Sequence, residues 1–151
     1  MKSIRYLMAA GALLVSMSSV QAATQTIRLA DTEFSMEVVA DPESRRVGLM
    51  GREALPFGTG MLFDFPEGTR PAIWMRNMVI SLDLVFVAGD GRIAHLFPDV
   101  PPCPDLPCAV YQADGPLRWV MELPAGSVQK LGLKVGDNLD LSTLPSEPPL
   151  N

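Results

Sequence analysis

Short apolar runs bounded by glycine, proline and polar turn residues recur along the chain and read as β-strands, and two short segments depart from them toward helix. Thr26 to Ala30 and Phe34 to Ala40 read as the first two strands, the second placing Phe34, Met36 and Val38 on one face. The pattern then changes. Asp41 is suited to cap a short helix, Pro42 to occupy its first turn, and Arg45, Arg46 and Leu49 continue it toward Gly51. Gly58 and Gly60 open a strand over Met61 to Phe65, closed by Pro66 to Gly68. Further strands are predicted at Ala72 to Met78, Leu82 to Ala88, Arg92 to Phe97, Ala109 to Gln112 and Arg118 to Leu123. The triplet Gly89, Asp90, Gly91 marks a hairpin turn between the strands that flank it. A second short helix is predicted over Gly126 to Leu131, stopped at Gly132, where a left-handed conformation costs nothing. A last strand falls near Asn138 to Leu141.

Many short strands with two short helices imply an all-β or β-dominated domain. A compact closed or nearly closed β-barrel is expected, because closure leaves no strand edge exposed. A sandwich is the alternative arrangement. No internal repeat is present.

The N-terminus changes the picture of where the domain works. Lys2 and Arg5 precede an apolar stretch from Leu7 to Met17, followed by Val20, Gln21 and Ala22. So short an apolar run, ending in small residues, predicts a signal peptide over residues 1–22, cleaved before Ala23, rather than a membrane span. Neither cysteine lies near that point, so lipid attachment is not expected, and no later stretch is long and apolar enough to span a membrane. The product is expected to be soluble and periplasmic or secreted. A single barrel-like domain over residues 23–141 follows, and prolines with polar residues predict a disordered tail over residues 142–151. Without Lys2 and Arg5 the chain keeps 10 basic and 17 acidic residues, a net charge of −7. Nucleic acid or an anionic membrane would be repelled by that balance.

Candidate chemistry is sparse. Cys103 and Cys108, in P-P-C-P-D-L-P-C, are the only cysteines, and in an exported chain they predict a disulfide that pins a loop. Their spacing is not the C-x-x-C of redox-active pairs. Zinc would need two further ligands, and His95 is the sole histidine. Met75 and Met78 form an M-x-x-M that suits Cu(I), but on a strand these positions point to opposite faces, and methionine also fills irregular cores. No metal or other cofactor is predicted. Asp83, between Leu82 and Leu84, needs a hydrogen-bonding or cationic partner if buried, with Arg45, Arg52 and Arg76 as candidates. The alternative for Asp83 and Asn77 is to tie down turns through side-chain to backbone bonds. Trp74 and Trp119 suit core or rim anchors. No G-x-S-x-G, H-E-x-x-H or phosphate loop is present. Asp83 and Glu122 could act as an acid and base pair only if they converge.

Seven blocks in order carry a family likeness: G-L-M-G-R at Gly48 to Arg52, G-M-L-F at Gly60 to Phe63, W-M-R-N at Trp74 to Asn77, L-D-L-V-F at Leu82 to Phe86, P-C with C-x-x-Y at Pro102 to Tyr111, M-E-L-P-A-G at Met121 to Gly126, and G-L-K-V-G-D at Gly132 to Asp137. Together they resemble the domain of unknown function 192 family. The resemblance implies a compact β fold and brings no established activity with it. It places Arg52, Trp74, Asn77, Asp83 and Glu122 where the family's motifs keep polar or aromatic residues, which makes them the candidate ligand-binding set. The chain departs from the family in Met78, where threonine is usual, in Arg76, where lysine is common, and in Ser81, where proline often stands. The resulting expectation is an exported binding or accessory module of the cell envelope, its partner an unidentified small molecule or envelope component. A hydrolase built on Asp83 and Glu122 and a methionine-rich copper module are the alternatives.

Overall fold

A computed structural model describes residues 23–150; the expected leader, residues 1–22, lies outside them. The domain is built on strands β1 (Ala23–Leu29), β2 (Thr32–Val39), β3 (Thr59–Asp64), β5 (Leu82–Val87), β6 (Ile93–Val100) and β8 (Trp119–Pro124), which form one sheet in the order β1-β2-β3-β8-β5-β6. β4 (Ala72–Trp74) and β7 (Val110–Gln112) pair as a separate two-stranded ribbon. Helix α1 (Pro42–Val47) lies in the connection between β2 and β3, the one parallel pair, which a tight turn could not join. Helix α2 (Ser127–Leu131) follows β8.

The expected barrel does not form: β1 and β6 are the two ends of an open sheet. The reason lies in what covers the faces. One face packs Phe34, Met36, Leu62, Val85, Met121 and Leu123 against Val128 of α2 and the segment carrying Leu133, Leu139, Leu141 and Leu144. The other packs Met61, Phe63, Leu84, Phe86 and Val120 against Leu49, Ile73 and Met75. Chain segments bury both faces, so the sheet need not roll onto itself to shelter them. This accounts for β5, whose six residues are all buried, like the continuous apolar strands of two-sided sheets. Full burial of a side chain such as Phe34 or Leu62 stabilises the fold by about 1.5 to 3 kcal/mol.

Local differences from expectation have local causes. β4 stops at Trp74 because the chain turns: the Met78 amide donates to the Met75 carbonyl (3.3 Å), and Asn77 sits at φ 60°. α1 is capped by the Asp41 carboxylate at the Ser44 amide (2.9 Å) and ends at Gly48. The strand expected near Asn138 is reduced to a single bridge to Arg92, while Leu139 and Leu141 enter the core. Residues 142–150, expected as a tail, carry neither helix nor strand. Leu144 is buried, and the Arg118 guanidinium donates to the carbonyls of Pro145 (2.7 Å), Ser146 (2.7 Å) and Glu147 (2.8 Å). The expected disulfide joins Cys103 and Cys108, and the Cys103 amide ties its loop to the Met75 carbonyl (3.0 Å).

Candidate functional site

The five candidate residues do not form one cluster. Asp83 lies on β5 opposite Leu123 of β8, on the sheet face that α2 covers. It is fully buried, and its carboxylate accepts from the amides of Asp99 (2.7 Å), Gly126 (3.1 Å) and Val128 (2.7 Å). α2 has no side-chain cap of its own, so Asp83 supplies the acceptor that the first-turn amides lack. Asp83 is therefore a keystone between β5, β6 and α2. None of the described arginines is its partner.

Arg52 instead grips Glu37 of β2, with Nη1 to Oε1 at 2.5 Å and Nη2 to Oε2 at 2.6 Å. That bidentate hydrogen bond holds the Glu37 carboxyl below its ordinary range. Asn77 is exposed; its carbonyl accepts from the Gly51 amide (3.1 Å) and its Nδ2 approaches the Met50 sulfur (3.8 Å). Its main chain thus ties the turn after α1 to the segment that follows β4, and its side chain makes no bond to backbone among the described residues.

Glu122 and Trp74 do meet at one feature, a cleft of about 260 Å³ on the face opposite α2. Its walls come from Val47, Leu49, Met50, Phe63, Ile73 and Met78, with Arg45 and Arg46 at one side. Three pieces of chain build it: the turn leaving α1, the centre of the sheet, and the β4 segment. Gly48 allows the close approach, since a side chain there would meet the Phe63 ring at 3.2 Å and the backbone holds φ 50°. Trp74 stands at the end of β4 with 46% of its surface exposed.

Glu122 lies mid-strand in β8, flanked by Met61 of β3 and Leu84 of β5. It is 5% exposed, and its Oε2 is buried without a hydrogen-bond partner among the described residues. Burial pushes its carboxyl up to about 8 from an ordinary 4.5. At neutral pH it is mostly the protonated acid, with one O–H to donate and one carbonyl oxygen to accept. Among the described residues it is the sole carboxylic acid lining the cleft. The nearby guanidinium of Arg45 is occupied by the carbonyls of Ala40 and Asp64 and lies over the Phe65 ring (5.3 Å). Arg46 is held by Glu43 (2.6 Å).

The geometry corrects the alternatives. Asp83 and Glu122 project from opposite faces, so they are not an acid and base pair about one substrate. Met78 lines the Glu122 cleft, whereas Met75 lines a different one beside Pro102, Cys103 and Tyr111, so the M-x-x-M pair is split. Among the described residues no three His, Cys, Asp or Glu side chains gather as a metal site. No helix there is long and apolar enough to cross a membrane. Sequence reasoning missed Phe63, Ile73 and Met78 as cleft walls, because an apolar residue at strand spacing signals only burial. Arg45, a candidate partner for Asp83 by sequence, lines the Glu122 cleft on the other side of the sheet.

Comparisons with known proteins agree with this fold and leave the site without an assigned ligand. Residues 23–141 match the sequence model of the domain of unknown function 192 family, described as an uncharacterized ACR. A crystal structure from Sinorhizobium meliloti, provisionally described as a transcription regulator, is 34% identical with a TM-score of 0.75, covering 84% of this chain and 100% of that one. A protein of unknown function from Novosphingobium aromaticivorans is 28% identical with a TM-score of 0.69, covering 87% of this chain and 94% of that one. No curated protein matches the chain.

Proposed function

The chain belongs to the domain of unknown function 192 family, and within it we propose that this protein is an exported binding module that takes a small molecule into the cleft between α1, β4 and β8. One observation carries the reading: Glu122, a buried residue whose carboxyl has an oxygen unpartnered among the described residues, lines the cleft together with a half-exposed tryptophan. A desolvated polar group without a partner costs about 1 to 3 kcal/mol. A ligand that satisfies it recovers part of that cost on binding. Apolar walls with few placed polar groups are the usual make-up of small-molecule sites.

Export rests on the leader composition of residues 1–22. The acidic balance of the chain, a formal net charge of −5, speaks against carrying over a nucleic-acid role from the Sinorhizobium meliloti relative. A thermal-shift screen of the purified protein against small envelope molecules tests the binding reading, since a ligand of the folded state raises the melting temperature. Hits must weaken on Trp74→Ala. Ligands that bind equally well to Trp74→Ala and Glu122→Leu would place the site elsewhere. For export, intact mass of protein from the periplasm or medium should begin at Ala23, and a full-length chain retained in a membrane fraction would refute it.

A further inference from the structure

Three features of the cleft narrow what it can hold. Its volume of about 260 Å³ exceeds the roughly 150 Å³ of an engineered apolar cavity that accepts benzene. There is room for one ring and one functional group. Leu49, Phe63, Ile73 and Met78 ask for an apolar body. The third feature is charge. A cation would have to ionise a carboxyl held among Met61, Leu84 and Phe63, and would sit beside Arg45 and Arg46. An anion would find those same guanidinium groups occupied, Arg45 by the carbonyls of Ala40 and Asp64 and Arg46 by Glu43. It would leave the solvent for little return.

The group that matches a neutral carboxyl is one that presents an acceptor and a donor side by side. A primary carboxamide or a lactam does this along one edge: its carbonyl takes the acid O–H, and its N–H returns to the second carboxyl oxygen. We propose that the cleft selects uncharged ligands carrying a carboxamide edge on an aromatic or aliphatic body, with Glu122 reading the amide and Trp74 covering the body at the rim. This rests on the reading that the cleft is a binding site. It adds the chemistry of the occupant.

Three probes of one shape decide it: benzamide, benzoate and benzylammonium, titrated into the full chain at a pH well below 8 and followed by NMR. Benzamide should shift the Trp74 indole and Met78 methyl signals while leaving the Trp119 indole in place. Benzoate and benzylammonium should bind at least about tenfold more weakly. Glu122→Gln keeps a donor and an acceptor and should still bind benzamide. Glu122→Leu, checked to be folded by circular dichroism, should lose about tenfold or more. If a charged probe binds at Trp74 as tightly as benzamide, the ligand class is wrong and the binding site stands. Undiminished benzamide binding to Glu122→Leu likewise removes Glu122 as the reader. If none of the three probes moves the Trp74 signal, the proposed class falls. Silence of the Trp74 and Met78 signals across the broader screen would take the binding reading down with it.

Discussion

Asp83 and Glu122 occupy adjacent strands one position out of register, Asp83 opposite Leu123 and Glu122 opposite Leu84, and so face opposite sides of the same sheet. The offset gives two buried carboxyls opposite fates. Asp83 meets three backbone amides at the start of α2 and the end of β6. Glu122 meets apolar walls and a cleft, and its Oε2 meets no donor among the described residues. One is an acceptor that completes the fold; the other keeps an oxygen without a partner among the described residues.

Removing Asp83 should therefore act on stability. Asp83→Ala leaves three amides without their acceptor and is expected to cost about 3 kcal/mol or more, whereas Asp83→Asn keeps one acceptor oxygen and should cost about 1 to 2 kcal/mol. Arg52→Ala breaks a partly exposed pair with Glu37 and should cost about 1 kcal/mol or less. The two sites share no partner, so chemical denaturation of Asp83→Ala, Arg52→Ala and the double variant should give additive losses. A coupling of about 1 kcal/mol or more would contradict the geometry described.

The contrast between these carboxyls also marks how far the sequence could be read. Alternation in β2 correctly places Phe34 and Met36 inward, the Gly89 to Gly91 turn joins β5 to β6, and Gly132 stops α2 in a left-handed conformation. These are local signals, decided within a few residues. The partners of Asp83 lie 16, 43 and 45 positions away in the chain, beyond any local pattern. The same holds for the open sheet: strand count does not say that β1 and β6 are edges, nor that α2 and the β4–β7 ribbon shelter opposite faces. Trp74 and Glu122 were legible as candidates. Their meeting in one cleft was not, because it depends on the β3–β8–β5 register and on where the connection after α1 folds back.

Arg118 joins the end of the chain to the core. It pairs with buried Asp64 at 3.0 Å and also donates to three carbonyls of residues 145–147. Arg118→Ala orphans Asp64 and should cost about 3 to 5 kcal/mol. The double change Arg118→Met with Asp64→Leu removes both charges and should recover most of that loss. It cannot restore donors to the C-terminal carbonyls. Limited proteolysis after Leu144 should hence be faster in both variants, even where stability is regained; unchanged protection in the double variant would show that Leu144 alone holds the segment.

The disulfide closes a short ring, so its contribution is limited. The chain-entropy estimate is about 2 kcal/mol, reduced further because Pro104 and Pro107 already restrict the reduced loop. Native protein should show no titratable thiol, and Cys103→Ser with Cys108→Ser should fold with a modestly lower melting temperature. The local effect should exceed the global one: the Cys103 amide, bonded to the Met75 carbonyl, should lose hydrogen-exchange protection first. A collapse of the whole fold on reduction would show that the loop does more than close this edge of the ribbon.

Glu122 should make the protein less stable as pH rises through neutrality. In the folded state its carboxyl keeps the proton up to about 8, whereas the unfolded chain releases it near 4.5. Between those values the native state binds the additional proton, so unfolding free energy decreases with rising pH, by up to about 1.4 kcal/mol per pH unit. The contribution is complete below 4.5 and gone once pH has passed 8. Glu122→Gln stays neutral throughout, so wild type minus variant isolates this group from carboxyls such as Glu37 and Asp41, whose values are lowered and which act at acid pH. The difference in denaturation midpoint should slope downward across that window. A flat difference would mean that Glu122 ionises normally and is better solvated than its burial indicates. Glu122→Leu, which removes the carboxyl altogether, should gain stability over wild type above pH 8. The ligand response of the cleft should be lost in the same variant, the usual cost of relieving an unsatisfied group at a binding site.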